Sequence, residues 1–446
     1  MSPKSMLLMN PGPIAFESEV LAAFAHEGIS HVDPAFIEVF GWCLEKMRHI
    51  FLADDGQPLI VAGSGTLGWD MVGANLLEAG DEVLVINTGP TYCGYFGDSF
   101  GTCLERYGAN VTHLRAPIGS RPSIEALKDA LRKPYKLITI THVDTSTGVL
   151  SDAAGYAAAI RAAQPDALVV LDGVCSLGGE ELRTKAWDID VVLTGSQKCI
   201  GVPAGLALLM LRPRALAEHS RLGHAKGAYY ADWAHWLPIM KNYEARRPSY
   251  FATPAVNHFY ALQKGFEILL ANGGMEKRFE EQRNMSNAIK GALVALGCTF
   301  VPAAGMAANT LTCVRYPKGV TGPDFLPKVT ARGVSLAGGL HKDIKMEYFR
   351  IGHMGQSTRI MEHAIRTINA IEAALIECGH VVETKGKAAA LIKSHLKSTL
   401  PMSKRGCWSP CCGGRKCPVP LKCQLWSIGL VLAAFGAGVA VASRRK

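Results

Sequence analysis

Between about residues 50 and 210, short apolar runs, often β-branched, alternate with stretches of helical spacing. Residues 83–87, 137–141, 168–171 and 191–194 read as strands, and 17–26, 124–131 and 153–163 as helices. Strands that are apolar almost throughout are buried on both faces. The pattern predicts an α/β fold on a parallel or mixed sheet covered by helices. Ligands of such sheets gather at the carboxyl ends of strands, so chemistry is expected in the segments just past each strand. Past about residue 260 the pattern changes. Longer helices over 275–296 and 361–378, with strands near 311–316 and 348–351, predict a second, smaller C-terminal α/β domain. The expected division is an N-terminal segment 1–20, a large domain 21–260, a small domain 261–380, a basic cysteine-rich linker 381–424 and an apolar end 425–446.

The 446 residues leave room for two or three domains at roughly 150 residues each. With 48% hydrophobic and 19% charged residues, the chain as a whole is not disordered, collagenous or a coiled coil. The formal charge of +9 suggests a nucleic-acid binder until its distribution is read. Residues 381–446 carry 12 Lys/Arg against one acid, Glu383, whereas residues 1–380 carry 35 against 37. The body is therefore near neutral, which argues against nucleic acid. Eight of the 13 cysteines are scattered through the body, and five crowd into 407–423. The odd total, wide spacing and lack of an N-terminal signal pattern point to a reducing compartment, with the body cysteines as small buried apolar groups. No metal-ligand spacing stands out in the body.

Three strand exits and one loop carry polar chemistry. Lys198 follows the run 191–193 after Thr194-Gly195-Ser196-Gln197, in a setting of small residues. An ordinary lysine is exposed. One at a strand exit is partly desolvated, and desolvation favours the neutral amine that condenses with an aldehyde. Asp172 ends the strand 168–171. Alone it is a buried acid capping a turn. Paired with Lys198 on one sheet, it suits the ring nitrogen of pyridoxal phosphate, whose aldehyde the lysine would take. Gly63-Ser64-Gly65-Thr66 opens an apolar helix and offers N–H groups to a phosphate, although such loops are common. It is neither a Walker motif nor a dinucleotide fingerprint, which counts against NTPases and dehydrogenases.

The strings GSGTLGWD, YFGDSF, THVDTSTGV, LDGVCSLGGEEL and GSQKCIGVPAGLA stand in one order and register. Together they resemble the class V pyridoxal-phosphate aminotransferases, nearest to the alanine–glyoxylate (serine–pyruvate) type of fungi, over about residues 7–380. The resemblance implies the fold type I transferase architecture and pyridoxal 5'-phosphate as cofactor. By that likeness Lys198 would bind the cofactor covalently, Asp172 would hold its ring nitrogen, Phe96 would stack on the ring and Thr145 would meet the ring hydroxyl. Ser64, Gly65, Thr66 and Gln197 would hold the phosphate, with Tyr250 and Thr253 reaching the phosphate of a second subunit in a homodimer. Arg350 would grip the substrate carboxylate, and Asn10 and Gly12 would line the pocket. Without the likeness, Arg350 reads as a surface or inter-domain ion pair. The implied reaction moves the amino group of alanine or serine to glyoxylate by a ping-pong route, leaving glycine. Related alternatives are aminoethylphosphonate and phosphoserine aminotransferases, or an inactive membrane-tethered protein of the same fold. A cysteine desulfurase usually has His before its lysine, and here Gln197 stands there. The stretch 90–94 departs from the family pattern, close to Phe96.

Residues 425–442 form an 18-residue stretch without a charge, about 27 Å long as a helix and followed by Arg444-Arg445-Lys446. It reads as a C-terminal tail anchor, or else a docking helix. Cys407, Cys411, Cys412, Cys417 and Cys423 lie where palmitoylation would support an anchor. The C-terminus is not Ser-Lys-Leu. A peroxisomal or mitochondrial membrane, with the enzyme facing the cytosol, is the expected address.

Overall fold

In the computed structural model, residues 6–88, 95–223 and 227–399 are described. A seven-stranded sheet forms the centre. Its strands are β2 (Gln57–Ala62), β3 (Glu82–Ile86), β4 (Asn110–Leu114), β5 (Leu137–Thr141), β6 (Leu168–Asp172), β7 (Val191–Gly195) and β8 (Leu206–Leu211), after a short β1 (Leu7–Leu8) that lies elsewhere. The spatial order is β2-β8-β7-β6-β5-β3-β4. Only β8 runs against its neighbours, so the sheet is mixed and mostly parallel. Every residue of β5, β6, β7 and β8 is buried, as a sheet covered on both faces requires. The helix Ala153–Ala163 shows how local chemistry sets the crossovers. It is alanine-rich, and the Asp152 side chain caps it by accepting from Gly155 N–H at 3.1 Å.

A second, four-stranded antiparallel sheet comes next, with β9 (Thr299–Phe300), β10 (Leu311–Arg315), β12 (Ala337–Gly338) and β13 (Tyr348–Gly352) in the order β12-β13-β10-β9. Between them in sequence, β11 (Val334–Ser335) pairs in parallel with β1 as a separate two-stranded sheet, and Gly352 N–H of β13 donates to Met9 O at 2.6 Å, which ties the N-terminal segment to the four-stranded sheet. Two large apolar cores correspond to the two sheets. The changeover lies within the helix Gly274–Ala295: Met275 and Phe279 join the first core, Met285, Ile289 and Leu293 the second. The helix Val256–Leu270 still packs on the first core through Phe259, Leu262 and Phe266, so that core runs past residue 260.

One expectation is corrected. The basic stretch 381–424 reads as a linker, yet Lys387–Thr399 is a helix. Ala388, Ala389, Ile392 and Leu396 are buried in the second core, while Lys387, Lys393 and Lys397 face out. The lysines dominate the composition, but the apolar positions recur at helical spacing. Cys43, Cys175, Cys199, Cys298 and Cys313 are buried; Cys103 and Cys378 are partly so. Among the described residues no helix is long and apolar enough to cross a membrane, and no group of metal-binding side chains occurs. The stretches 90–94, 400–424 and 425–446 lie outside the described residues.

Candidate active site

The sheet brings distant residues to one end. Thr141, at the end of β5, lies opposite Asp172 on β6, and Asp172 lies opposite Leu193 on β7. The chain leaves β7 through Gly195 and turns to Lys198. At the far side of β8, Gly63 leaves β2 at the same end, its N–H donating to Gly205 O at 2.9 Å. These exits surround a cavity of about 370 Å³. Ser64, Gly65, Thr66 and Gln197 line one part, and Phe96, Thr145, Asp172 and Lys198 another. Gly12 and Pro13 close over it from the N-terminal segment.

Asp172 is enclosed at the end of β6, and its two oxygens are held separately. Trp69 Nε1 donates to Oδ2 at 2.8 Å, and Val174 N–H donates to Oδ1 at 2.9 Å. Burial pushes its carboxyl above the ordinary range; those two hydrogen bonds and the nearby Lys198 charge pull the other way. A carboxylate so enclosed fits a cationic ring nitrogen as its counter-charge. Lys198 is 8% exposed, and its Nζ donates to Pro11 O. Gly12, at φ +102°, passes so close that a Cβ there would lie 2.7 Å from Lys198 Cδ. Glycine is required by both the backbone angle and the contact.

The helix Gly65–Leu76 points its N-terminus into the cavity. Ser64 caps it in extended conformation, but its side chain makes no capping hydrogen bond, which leaves N–H groups of the first turn for an anion. A Cβ on Gly65 would come 2.8 Å from Val174 Cγ2. The cradle, a buried carboxylate and an amine thus share one cavity, and the set fits pyridoxal phosphate: phosphate at Ser64–Thr66 and Gln197, ring nitrogen at Asp172, aldehyde at Lys198.

Thr145 is fixed by its neighbours. Asp144 accepts from Ser146 N–H at 2.9 Å, Ser146 Oγ at 2.7 Å, Thr147 Oγ1 at 2.8 Å and Thr88 Oγ1 at 3.1 Å, knotting the loop after β5. His142 is no proton shuttle: burial lowers its imidazole to about 3, and it is turned edge-on to Trp187.

Four expected residues lie outside the cavity lining. Arg350, on β13, reaches its edge: Nε donates to Gly338 O at 2.8 Å and Nη1 to Thr145 O at 3.2 Å. Asn10 is turned toward β11, where its Oδ1 accepts from Ser335 Oγ at 3.3 Å. Tyr250 is 61% exposed, with its hydroxyl 3.5 Å from Thr253 Oγ1, and neither lines the cavity of its own chain. The sequence reading missed Trp69 and Cys175, both in the lining. Trp69 stands four residues after Gly65 on one helix, a spacing that puts both on the same face. Cys175 comes three residues after Asp172.

A mixed sheet with a lysine, a carboxylate and an anion cradle at its strand ends defines a pyridoxal-phosphate enzyme of fold type I. Comparison with known proteins narrows the class. The family model "Aminotransferase class-V" matches residues 15–367. The alanine–glyoxylate aminotransferase 1 of Saccharomyces cerevisiae is 39% identical over 362 residues, covering 78% of this chain and 91% of the yeast protein. Among solved structures, the ureidoglycine–glyoxylate aminotransferase of Bacillus subtilis superposes with a TM-score of 0.80 at 26% identity, over 89% of this chain and 99% of that one. The alanine–glyoxylate aminotransferase of Nostoc sp. gives 0.77 at 27% identity, over 84% and 96%. The chain belongs to the class V aminotransferases, which depend on pyridoxal phosphate.

Proposed function

We propose that this enzyme transfers the amino group of a small neutral amino acid, alanine or serine, to glyoxylate. The products are pyruvate or hydroxypyruvate, and glycine. Bound pyridoxal phosphate supplies an aldehyde for the amine and an electron sink for the substrate's Cα. The Lys198 amine moves the proton at the substrate's Cα. Asp172 holds a negative charge at the ring nitrogen, and the N–H groups at Gly65 and Thr66 anchor the phosphate. Arg350 pairs with the carboxylate in the bidentate way a planar guanidinium allows.

The observation that carries the substrate class is the charge inventory. Among the described residues, the charged side chains lining the cavity are Lys198 and Asp172, with Arg350 at its edge. Among the described residues of one subunit, that provides for one anionic group and leaves no second cation for the side-chain carboxylate of a dicarboxylic amino acid. The identity with the yeast alanine–glyoxylate enzyme supports the same reading. With glyoxylate as acceptor, glycine formation from alanine or serine is expected to exceed that from aspartate or glutamate by at least about tenfold in kcat/KM, one charge-pairing contact's worth of discrimination. A higher value for either dianionic donor would overturn the assignment.

The working unit we propose is a homodimer, in which exposed Tyr250 and Thr253 serve the neighbouring subunit's phosphate site. We further propose that residues 425–443 anchor the enzyme to a peroxisomal or mitochondrial membrane, facing the cytosol. The charge-free stretch and the basic residues around it support this. The full chain is expected to stay in the pellet after carbonate extraction, and a chain ending at residue 400 to move to the supernatant. Release of both would remove the anchor.

A further inference from the structure

Arg350 has a specific aim because of how its surroundings are fastened. Its Nε is held by Gly338 O on β12 and its Nη1 by Thr145 O on the loop after β5. These two acceptors, one on β12 and one on the turn that follows β5, lie 193 residues apart in sequence. The fork keeps its direction only if both segments keep theirs.

One buried hydroxyl joins them. Tyr348 lies two residues before Arg350 on β13, so both side chains leave the same face of the strand. Its ring is fully buried. Its hydroxyl accepts from Leu340 N–H and His341 N–H, each at 2.9 Å, and donates to Ser146 O. A phenol has one proton to give and two lone pairs to fill, and all three are used. Leu340 and His341 come soon after Gly338, and Ser146 adjoins Thr145. The hydroxyl therefore pins both segments that aim the guanidinium. Gly339 makes room for the ring: a Cβ there would lie 2.7 Å from Tyr348 Cε1. Burial pushes the phenol up to about 12, so it keeps its proton at any working pH.

We propose that Tyr348 is a positioning residue for substrate carboxylates: by tying the 338–341 segment to the Thr145 loop, it sets the direction of Arg350. This rests on the reading of Arg350 as the carboxylate fork. Donor amino acid and acceptor oxo acid meet the same fork in turn, so the two should be affected alike. That parallel is what separates positioning from a general loosening of the fold.

Tyr348→Phe removes the hydroxyl and keeps the ring. In the holoenzyme it is expected to raise KM for alanine and KM for glyoxylate together, each about tenfold, with kcat changed less than threefold, which is the scale of one lost hydrogen-bond clamp. An activity-independent readout is the dissociation constant of propionate, an unreactive monocarboxylate, measured by calorimetry; it should also rise about tenfold. Arg350→Lys is measured beside it. Weaker propionate binding in Arg350→Lys with unchanged binding in Tyr348→Phe would overturn the positioning role alone. Unchanged binding in both would overturn the carboxylate reading of Arg350 and this inference with it. A rise in only one KM overturns the proposal; if Tyr348→Phe does not fold, hydrogen exchange in the wild-type holoenzyme takes its place, where saturating propionate should slow exchange of the Leu340 and His341 amides at least about tenfold, and unchanged exchange overturns the proposal.

Discussion

Lys198→Ala is expected to lower turnover on the order of 10⁴-fold, the upper end of what a positioned proton-transfer group supplies. Two roles are lost together. Among the described residues, the amine is the only group in the lining that can both condense with an aldehyde and afterwards carry a proton, because the other ionisable side chains there are Asp172 and the Cys175 thiol. Burial pushes that thiol up, so it stays protonated and does not substitute. Lys198→Arg should be as inactive as the alanine variant, since a guanidinium keeps the charge but gives up no proton in this range. That comparison separates proton transfer from mere positive charge. Both variants should still bind pyridoxal phosphate non-covalently, because the cradle at Ser64–Thr66 and the Asp172 carboxylate are untouched. The measurements are glycine formation, and borohydride reduction followed by peptide mass analysis. The wild type should be labelled on the peptide containing Lys198 and the variants should carry no label. Turnover within tenfold of wild type, or a label on another lysine, would move the catalytic amine elsewhere.

How much of the molecule is legible in its sequence depends on whether the signal is local. β5, β6 and β7 are read within a residue or so because they are short, β-branched and buried on both faces. β8, Leu-Ala-Leu-Leu-Met-Leu, has no β-branched residue, and an apolar run of that kind reads equally well as buried helix. β4 is the sheet's edge strand and half polar, so its pattern is weak. The pair Asp172 and Lys198 is legible because both close apolar runs, and sheet topology brings such ends together. Trp69 is not, because its meaning is a bond to Asp172, 103 residues away. Nor is the helix Lys387–Thr399, whose buried residues are masked by lysines in any composition window. The Asn10 side chain shows the limit of motif transfer: the string around it is in place, but the side chain faces Ser335.

Asp172→Asn should lower catalysis while making apo-protein stability less sensitive to rising pH. The Asp172 carboxyl sits above its ordinary range in the fold because burial penalises its charge. A group that binds its proton more tightly when folded loses stabilising effect as pH rises. The loss begins above the unfolded value, near pH 4, and continues through the folded one. Rising pH therefore drives the apo-protein toward a charge the pocket resists. Asparagine has nearly the same shape and carries no charge, but its amide oxygen can accept from only one of Trp69 Nε1 and Val174 N–H, and its NH2 faces the other donor, so a pH-independent cost replaces the pH-dependent one. The melting difference between apo Asp172→Asn and apo wild type is expected to move in the variant's favour as pH rises from 4 to 7. With cofactor bound the wild type is favoured, because only the carboxylate can pair with a protonated ring nitrogen. Turnover should fall roughly 10²–10³-fold, the range for removing one preorganised charge-stabilising group, and the melting gain from added pyridoxal phosphate should shrink. Scanning fluorimetry of apo and loaded forms at the two pH values, beside glycine formation, gives both halves of the test. A difference that stays flat, or moves in the wild type's favour, between pH 4 and 7 would mean that the pocket favours the carboxylate on its own account, and Asp172 would then be no strained charge awaiting a cation.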